Sequence, residues 1–165
     1  LARAGHPCVF HAFRVVAADG RIQGVQIRRD NAERMKYAWM SSAGKPYGTG
    51  ARSWVHVAGD RSRKEAVITE GPIKGDVSSF LTGGTLFVCV PGVNAVSFLA
   101  DTLKELRVSQ AWEAFDMDKR CNPQVQAAVS RLRLEMKKAG VPCRTMAWDP
   151  VCKGIDDFLA LKRSA

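Results

Sequence analysis

A chain of 165 residues, 46% hydrophobic and 25% charged, has the size and make-up of one globular domain or of one domain with a small appendage. That excludes fibrous, collagen-like and wholly disordered chains, and no apolar run approaches the roughly 18 residues that a membrane-spanning helix needs. The formal charge of +9 is uneven: residues 1–64 carry twelve Lys/Arg against four Asp/Glu, and residues 65–165 carry thirteen against twelve. A basic first third joined to a nearly neutral remainder fits a polyanionic partner on one surface and acids held for chemistry on another, the alternative being a merely solvated basic face.

Leu1 to Cys8 show neither an initiator Met nor a signal-peptide layout, and read as the start of a piece cut from a longer protein. The five cysteines, Cys8, Cys89, Cys121, Cys143 and Cys152, are odd in number and contain no C-x-x-C pair. That argues against a disulfide framework and a zinc ribbon, and for a reducing compartment. His6, His11 and His56 lack metal-ligand spacing and are read as structural.

In chain order, Val9–Ala17 and the alternating run Ile22–Ile27 flank Asp19-Gly20, the signature of a β-hairpin. Lys36–Met40 and Ser53–Val57 read as two more short strands around a glycine-rich loop, so the first third is an antiparallel β layer. At about residue 64 the pattern changes. Glu65–Thr69 is a short apolar strand, Val77–Leu81 begins a helical stretch, and Leu86–Val90 is a continuous apolar run typical of a buried parallel strand. Asn94 can cap a helix to about Arg107 with Val96, Leu99, Ala100 and Leu103 on one face. Ala111–Phe115 is a strand, Pro123–Ala139 a long helix stopped by Gly140, Val141–Ala147 a strand and Ile155–Lys162 a last helix. Such alternation predicts a mostly parallel α/β sheet flanked by helices over residues 65–165, preceded by a small antiparallel β-rich unit over residues 1–64.

Ligands of open α/β sheets bind beyond the carboxyl ends of the strands. Glu70 lies at such an end and is followed by Gly71; Asp116 and Asp118 end a second strand; Asp156 and Asp157 follow the last. Side chains at i and i+2 of an extended chain point the same way, so Asp116 and Asp118 can converge. Close carboxylates repel unless a cation lies between them, and Mg²⁺ takes hard oxygen ligands from one or two carboxylates, water and phosphates. The alternatives are local: a helix cap for Asp118, a turn acid for Glu70, and a cap of the last helix for Asp156.

Val67-Ile-Thr-Glu70-Gly71, Ala114-Phe-Asp116-Met-Asp118 and Lys153-Gly-Ile-Asp156-Asp157-Phe-Leu together resemble a Toprim domain, the metal-dependent fold of bacterial primases, topoisomerases and certain nucleases. Gly20-Arg-Ile-Gln-Gly24-Val-Gln-Ile-Arg28 and Lys36-Tyr37-Ala-Trp-Met-Ser41-Ser42 resemble segments of the N-terminal subdomain of a bacterial primase, so the likeness spans about residues 15–162. It departs at Lys74, where replicative primases carry an acid and this chain delays it to Asp76, and at Met117, where glycine is usual. The spacing Glu-Gly-Pro-Ile-Lys-Gly-Asp is closer to Toprim-like domains of plasmid, phage and other mobile-element primases.

The resemblance implies a Rossmann-like Toprim fold and metal-dependent nucleotidyl transfer: primer synthesis on single-stranded DNA from nucleoside triphosphates, in the cytoplasm of a bacterial or phage-infected cell, with no membrane partner. It makes Glu70, Asp116 and Asp118 the catalytic acids and ligands of Mg²⁺ or Mn²⁺, with Asp76 and Asp156 as outer or second-ion ligands. It places template or nucleotide on Arg28, Arg29, Lys36, Tyr37, Lys74 and Lys153. Two other activities fit the same residues: a catalytically weak DNA-binding module beside a fused or associated helicase, and a Toprim nuclease.

Overall fold

The structure, a computed structural model, describes residues 10–30, 36–92 and 95–164. The positions of His6, Cys8 and the expected cap Asn94 lie outside them. The hairpin forms as its sequence dictates: β1 (Phe10–Val16) and β2 (Ile22–Arg29) run antiparallel, and β3 (Tyr37–Trp39) pairs with the far edge of β2. Gly24 on β2 has no room for a side chain, because the Trp39 and Trp54 rings cover it.

The fourth strand, β4 (His56–Ala58), was expected in this antiparallel layer, and the structure places it elsewhere: it is the antiparallel edge of a second, five-stranded sheet. All three of its residues are buried, and that apolar surface is covered only against the larger core. The second sheet has the order β4-β6-β5-β7-β8, with β5 (Glu65–Glu70), β6 (Phe87–Val90), β7 (Gln110–Glu113) and β8 (Cys143–Thr145) parallel. α1 (Pro72–Leu81) begins five residues earlier than its apolar pattern suggests, because Pro72 stands in its first turn, where a missing N–H costs nothing. α2 is the shorter segment Leu99–Glu105, while α3 (Pro123–Ala139) and α4 (Ile155–Ser164) have nearly their expected bounds. Gly140 ends α3 in the left-handed conformation at φ 71°.

Residues of alternating parity on β5 and β6 feed two cores. Ala66, Ile68, Val88 and Val90 pack with Leu99, Leu103, Leu132 and Met136 under α2 and α3. Val67, Phe87 and Cys89 pack with Ala114, Trp148 and Ile155 under α1 and α4. Helices thus cover both faces, which accounts for the unbroken apolar character of the central strands. The crossover through α1 leads from β5 to β6, and the one through α2 returns past β5 to β7. The carboxyl end of β5 is therefore the point where the winding reverses, the usual place for a binding crevice.

The small sheet is fastened to the large one by named bonds. Buried His56 accepts the Val16 N–H at Nδ1 (3.0 Å) and meets the Asp76 carboxylate through Nε2 (3.0 Å), while the Gln23 amide donates to the Val55 carbonyl (2.6 Å). Val55, Val57 and Ala18 join the larger core. The four described cysteines, Cys89, Cys121, Cys143 and Cys152, are free thiols, and no helix among the described residues is long and apolar enough to cross a membrane.

Candidate active site

Glu70 is the last residue of β5, and the turn after it sets the geometry of the site. Gly71 has φ 84° and ψ 134°, a conformation that residues with a side chain avoid, and its N–H donates to the Val90 carbonyl (2.8 Å). Pro72 then starts α1, and one helical turn after Glu70 the Lys74 side chain swings back over the strand ends. Its ammonium is hydrogen-bonded to Asp116 Oδ1.

Asp116 and Asp118 are not both in extended chain. β7 ends at Glu113, and Met117–Arg120 form a 3₁₀ turn with Asp116 at its N-cap, so the two acids are brought to the site by a turn rather than by strand alternation. The side chain of buried Glu113 helps to end the strand by accepting the Phe115 N–H (2.6 Å). The Met117 N–H donates to the Lys153 carbonyl (3.0 Å), which brings the α4 lead-in beside Asp116 and puts Lys153 Nζ 3.8 Å from Asp116 Oδ2.

The capping alternatives are now distinguishable. Asn122, not Asp118, caps α3, its side chain accepting the Gln124 N–H (3.0 Å). Asp157, not Asp156, accepts the Gly154 N–H (3.1 Å) ahead of α4. Asp156 lines the cleft, and its carboxylate also accepts its own N–H and that of Asp157 at the start of α4. Asp118 Oδ1 and Asp156 Oδ1 are buried and have no hydrogen-bond partner among the described residues.

Burial pushes the Glu70 carboxyl above its ordinary pKa; Lys74 and Lys153 oppose that rise, and Asp116 and Asp118 add to it. Asp156 is raised likewise by burial, with Lys74 opposing. These four carboxylates and two ammonium groups sit at one rim of the parallel sheet.

The cleft above them holds about 360 Å³ and has two unlike walls. Glu70, Lys74, Asp116, Lys153 and Asp156 form one, and Gln26, Arg28 and Tyr37 of the small sheet form the other. Gln26 and Arg28 share a face of β2, and Tyr37 is paired with Arg28 across the strands. Arg28 Nε is buried with no partner among the described residues. Of the other residues singled out from the sequence, Asp118 does not line the cleft, and Arg29 and Lys36 are exposed and do not line it either; the Arg29 N–H donates to the Lys36 carbonyl (2.9 Å) on the strand edge. Asp76 faces His56 and also lies outside the lining. A larger hollow of about 510 Å³ at the amino ends of the strands, lined by Arg63, Lys64, Glu65, Val67, Trp112 and Met146, is mostly apolar and holds a single acid, Glu65, beside two basic residues. Sequence reading missed Gln26, whose burial between strands of polar and apolar alternation has no local signal, and the bridging role of His56.

The fold is similar to that of primase catalytic cores of known structure. The chain superposes on the primase fragment of the bacteriophage T7 primase-helicase protein with a TM-score of 0.62 at 16% identity, covering 95% of this chain and 60% of that one. It superposes on the DnaG primase catalytic domain bound to ssDNA with a TM-score of 0.61 at 15% identity (92% and 47%). A DNA primase domain from Pseudomonas aeruginosa gives a TM-score of 0.61 at 18% identity (90% and 49%). The chain thus spans about half to three-fifths of the length of these structures. No curated protein matches the sequence. Residues 54–165 match DUF3854, described as a domain of unknown function, and the chain belongs to that family.

Proposed function

We propose that this chain is a primase-like nucleotidyltransferase core of Toprim type, which extends a primer on single-stranded DNA from nucleoside triphosphates. The observation that carries the reading is the two-walled cleft: the carboxylates of Glu70, Asp116 and Asp156 on one side, the last with an unpartnered oxygen, and Arg28 and Tyr37 on the other.

Among the described residues, no group of three or more His, Cys, Asp or Glu side chains is placed to hold a metal ion. The donor set nevertheless fits a hard divalent cation. Glu70, Asp116, Asp118 and Asp156 offer only carboxylate oxygens, and two of those oxygens are buried without a partner. These residues would hold Mg²⁺ or Mn²⁺. Such an ion, when bound, lowers the pKa of an attacking 3′-hydroxyl and neutralises phosphate charge.

The chain's own residues do the rest. Lys153, 71% exposed at the mouth, would meet the phosphates of an incoming triphosphate. Arg28 presents its guanidinium across the cleft, and Tyr37, 45% exposed, offers a ring on which a base can stack. Positioning and fixed charge supply most of the acceleration in phosphoryl chemistry. The T7 neighbour belongs to a primase-helicase protein, which supports a helicase as fused or associated partner; a mobile-element origin and a cytoplasmic setting complete the proposal.

A second reading, a single-strand-binding module with little catalysis, is favoured by one feature: Asp116 is already neutralised by Lys74. Primer extension on a single-stranded template with mixed triphosphates and Mn²⁺ separates the two. The polymerase reading expects product that Asp116→Asn reduces by more than about a hundredfold, beyond the loss typical of residues that only support a metal ligand. DNA binding by gel shift stays intact. Binding without product in any nucleotide mixture favours the module, and strand cleavage without triphosphates would make it a nuclease.

A further inference from the structure

Lys74 stands where the site's chemistry asks for a cation. Its side chain is only 19% exposed, against 71% for Lys153, so of the two ammonium groups it is the inner one. It bonds Asp116 Oδ1 and lies near enough to Glu70 and Asp156 to oppose the effect of burial on both. It passes beside Gly154, where a Cβ would lie 3.2 Å from Lys74 Cε and 3.4 Å from Nζ and would run into Asp156 Oδ1, so the ammonium and the Asp156 carboxylate are packed over the same glycine. Four carboxylates at one rim repel one another in the absence of a cation, and the ammonium relieves that repulsion from within the chain. A divalent ion needs the same oxygens, and two cations cannot share them without strong repulsion.

We infer that Lys74 is the resident cation of this site and competes with the divalent ion, which binds Asp116 only as the ammonium leaves it. The inference rests on the metal reading given above. It differs from a merely structural ion pair in what it predicts for metal affinity.

Mn²⁺ titrations followed by electron paramagnetic resonance, on the folded wild-type chain, Lys74→Met and Lys74→Arg, provide the test. Lys74→Met keeps the length of the side chain without its charge, and is expected to bind Mn²⁺ at least about tenfold more tightly than wild type. Lys74→Arg, which keeps the charge, should bind as weakly as wild type. Equal affinity of wild type and Lys74→Met overturns this inference alone, whereas Mn²⁺ binding to none of the three overturns it together with the metal reading. If Lys74→Met does not fold, the side-chain nitrogen resonance of Lys74 in the wild type decides. It should move towards the position of the exposed lysines as Mg²⁺ saturates the site, and an unmoved resonance at saturation refutes the competition.

Discussion

Glu70 and Asp156 hold carboxyl groups where burial opposes their charge. Because their folded-state pKa values lie above the unfolded ones, the folded protein keeps these protons to higher pH than the unfolded chain does. The stability they contribute is full below the ordinary carboxylate range and is lost as pH rises through the raised values. Glu70→Gln removes that penalty: its melting temperature should exceed that of wild type near neutrality, and the two should converge on acidification, as thermal melts from about pH 4 to 8 would reveal. An unchanged gap across that range would place the Glu70 charge in effective solvent contact. Gly71 is the second control at this scale. Gly71→Ala forces a side chain into a backbone conformation it avoids and should cost about 1–3 kcal/mol in urea unfolding. No neighbour lies within 4 Å of a Cβ there, so the loss would report backbone strain alone.

The elements are joined by a few polar contacts whose removal has separable effects. Asn122 caps the seventeen-residue α3, and Asn122→Ala should cost about 1 kcal/mol without altering the cleft. His56 does more, since it links three elements: the β1 backbone at Val16, its own strand β4, and α1 at Asp76. Nδ1 accepts from the Val16 N–H, so Nε2 carries the hydrogen and donates to the Asp76 carboxylate. His56→Phe leaves that part-buried N–H without an acceptor and should cost about 1–3 kcal/mol. The Val16 amide should then exchange with solvent faster in native-state hydrogen exchange, while amides of α3 lose only the global stability. Uniform acceleration would mean that His56 acts as general core packing rather than as the fastening between the sheets.

At the scale of the whole molecule, the basic small sheet and the acidic strand ends face each other across one cleft, an arrangement suited to a polyanion that must be held close to fixed carboxylates. Binding of single-stranded DNA, followed by fluorescence anisotropy, should weaken steeply with salt. Arg28→Ala should flatten the slope of log K against log salt by about 0.7, the share of one phosphate contact on a single strand. A parallel shift with unchanged slope would assign Arg28 to a base or to packing instead.

The local code was readable wherever adjacent residues decide the outcome. The Asp19-Gly20 hairpin, Pro123 and Gly140 at the two ends of α3, and the apolar runs at Glu65–Glu70 and Phe87–Val90 specify their elements through turn chemistry, capping and burial, which act over a few residues. Strand ends led to the expectation that Glu70, Asp116 and Asp118 gather at one rim, since the topology of a wound sheet brings such ends together; Glu70, Asp116 and Asp156 line the cleft, whereas Asp118 does not. Tertiary packing alone decided the remainder. β4 joins the larger sheet because only that core covers it; Asp157 rather than Asp156 takes the Gly154 N–H because the turn before α4 fixes which carboxylate faces inward; Lys74 meets Asp116, 42 residues away, because α1 starts at Pro72 and puts Lys74 in its first turn, beside the strand ends. Contacts of that kind depend on where whole elements dock, and docking is set by the summed burial of surfaces that no short stretch of sequence contains.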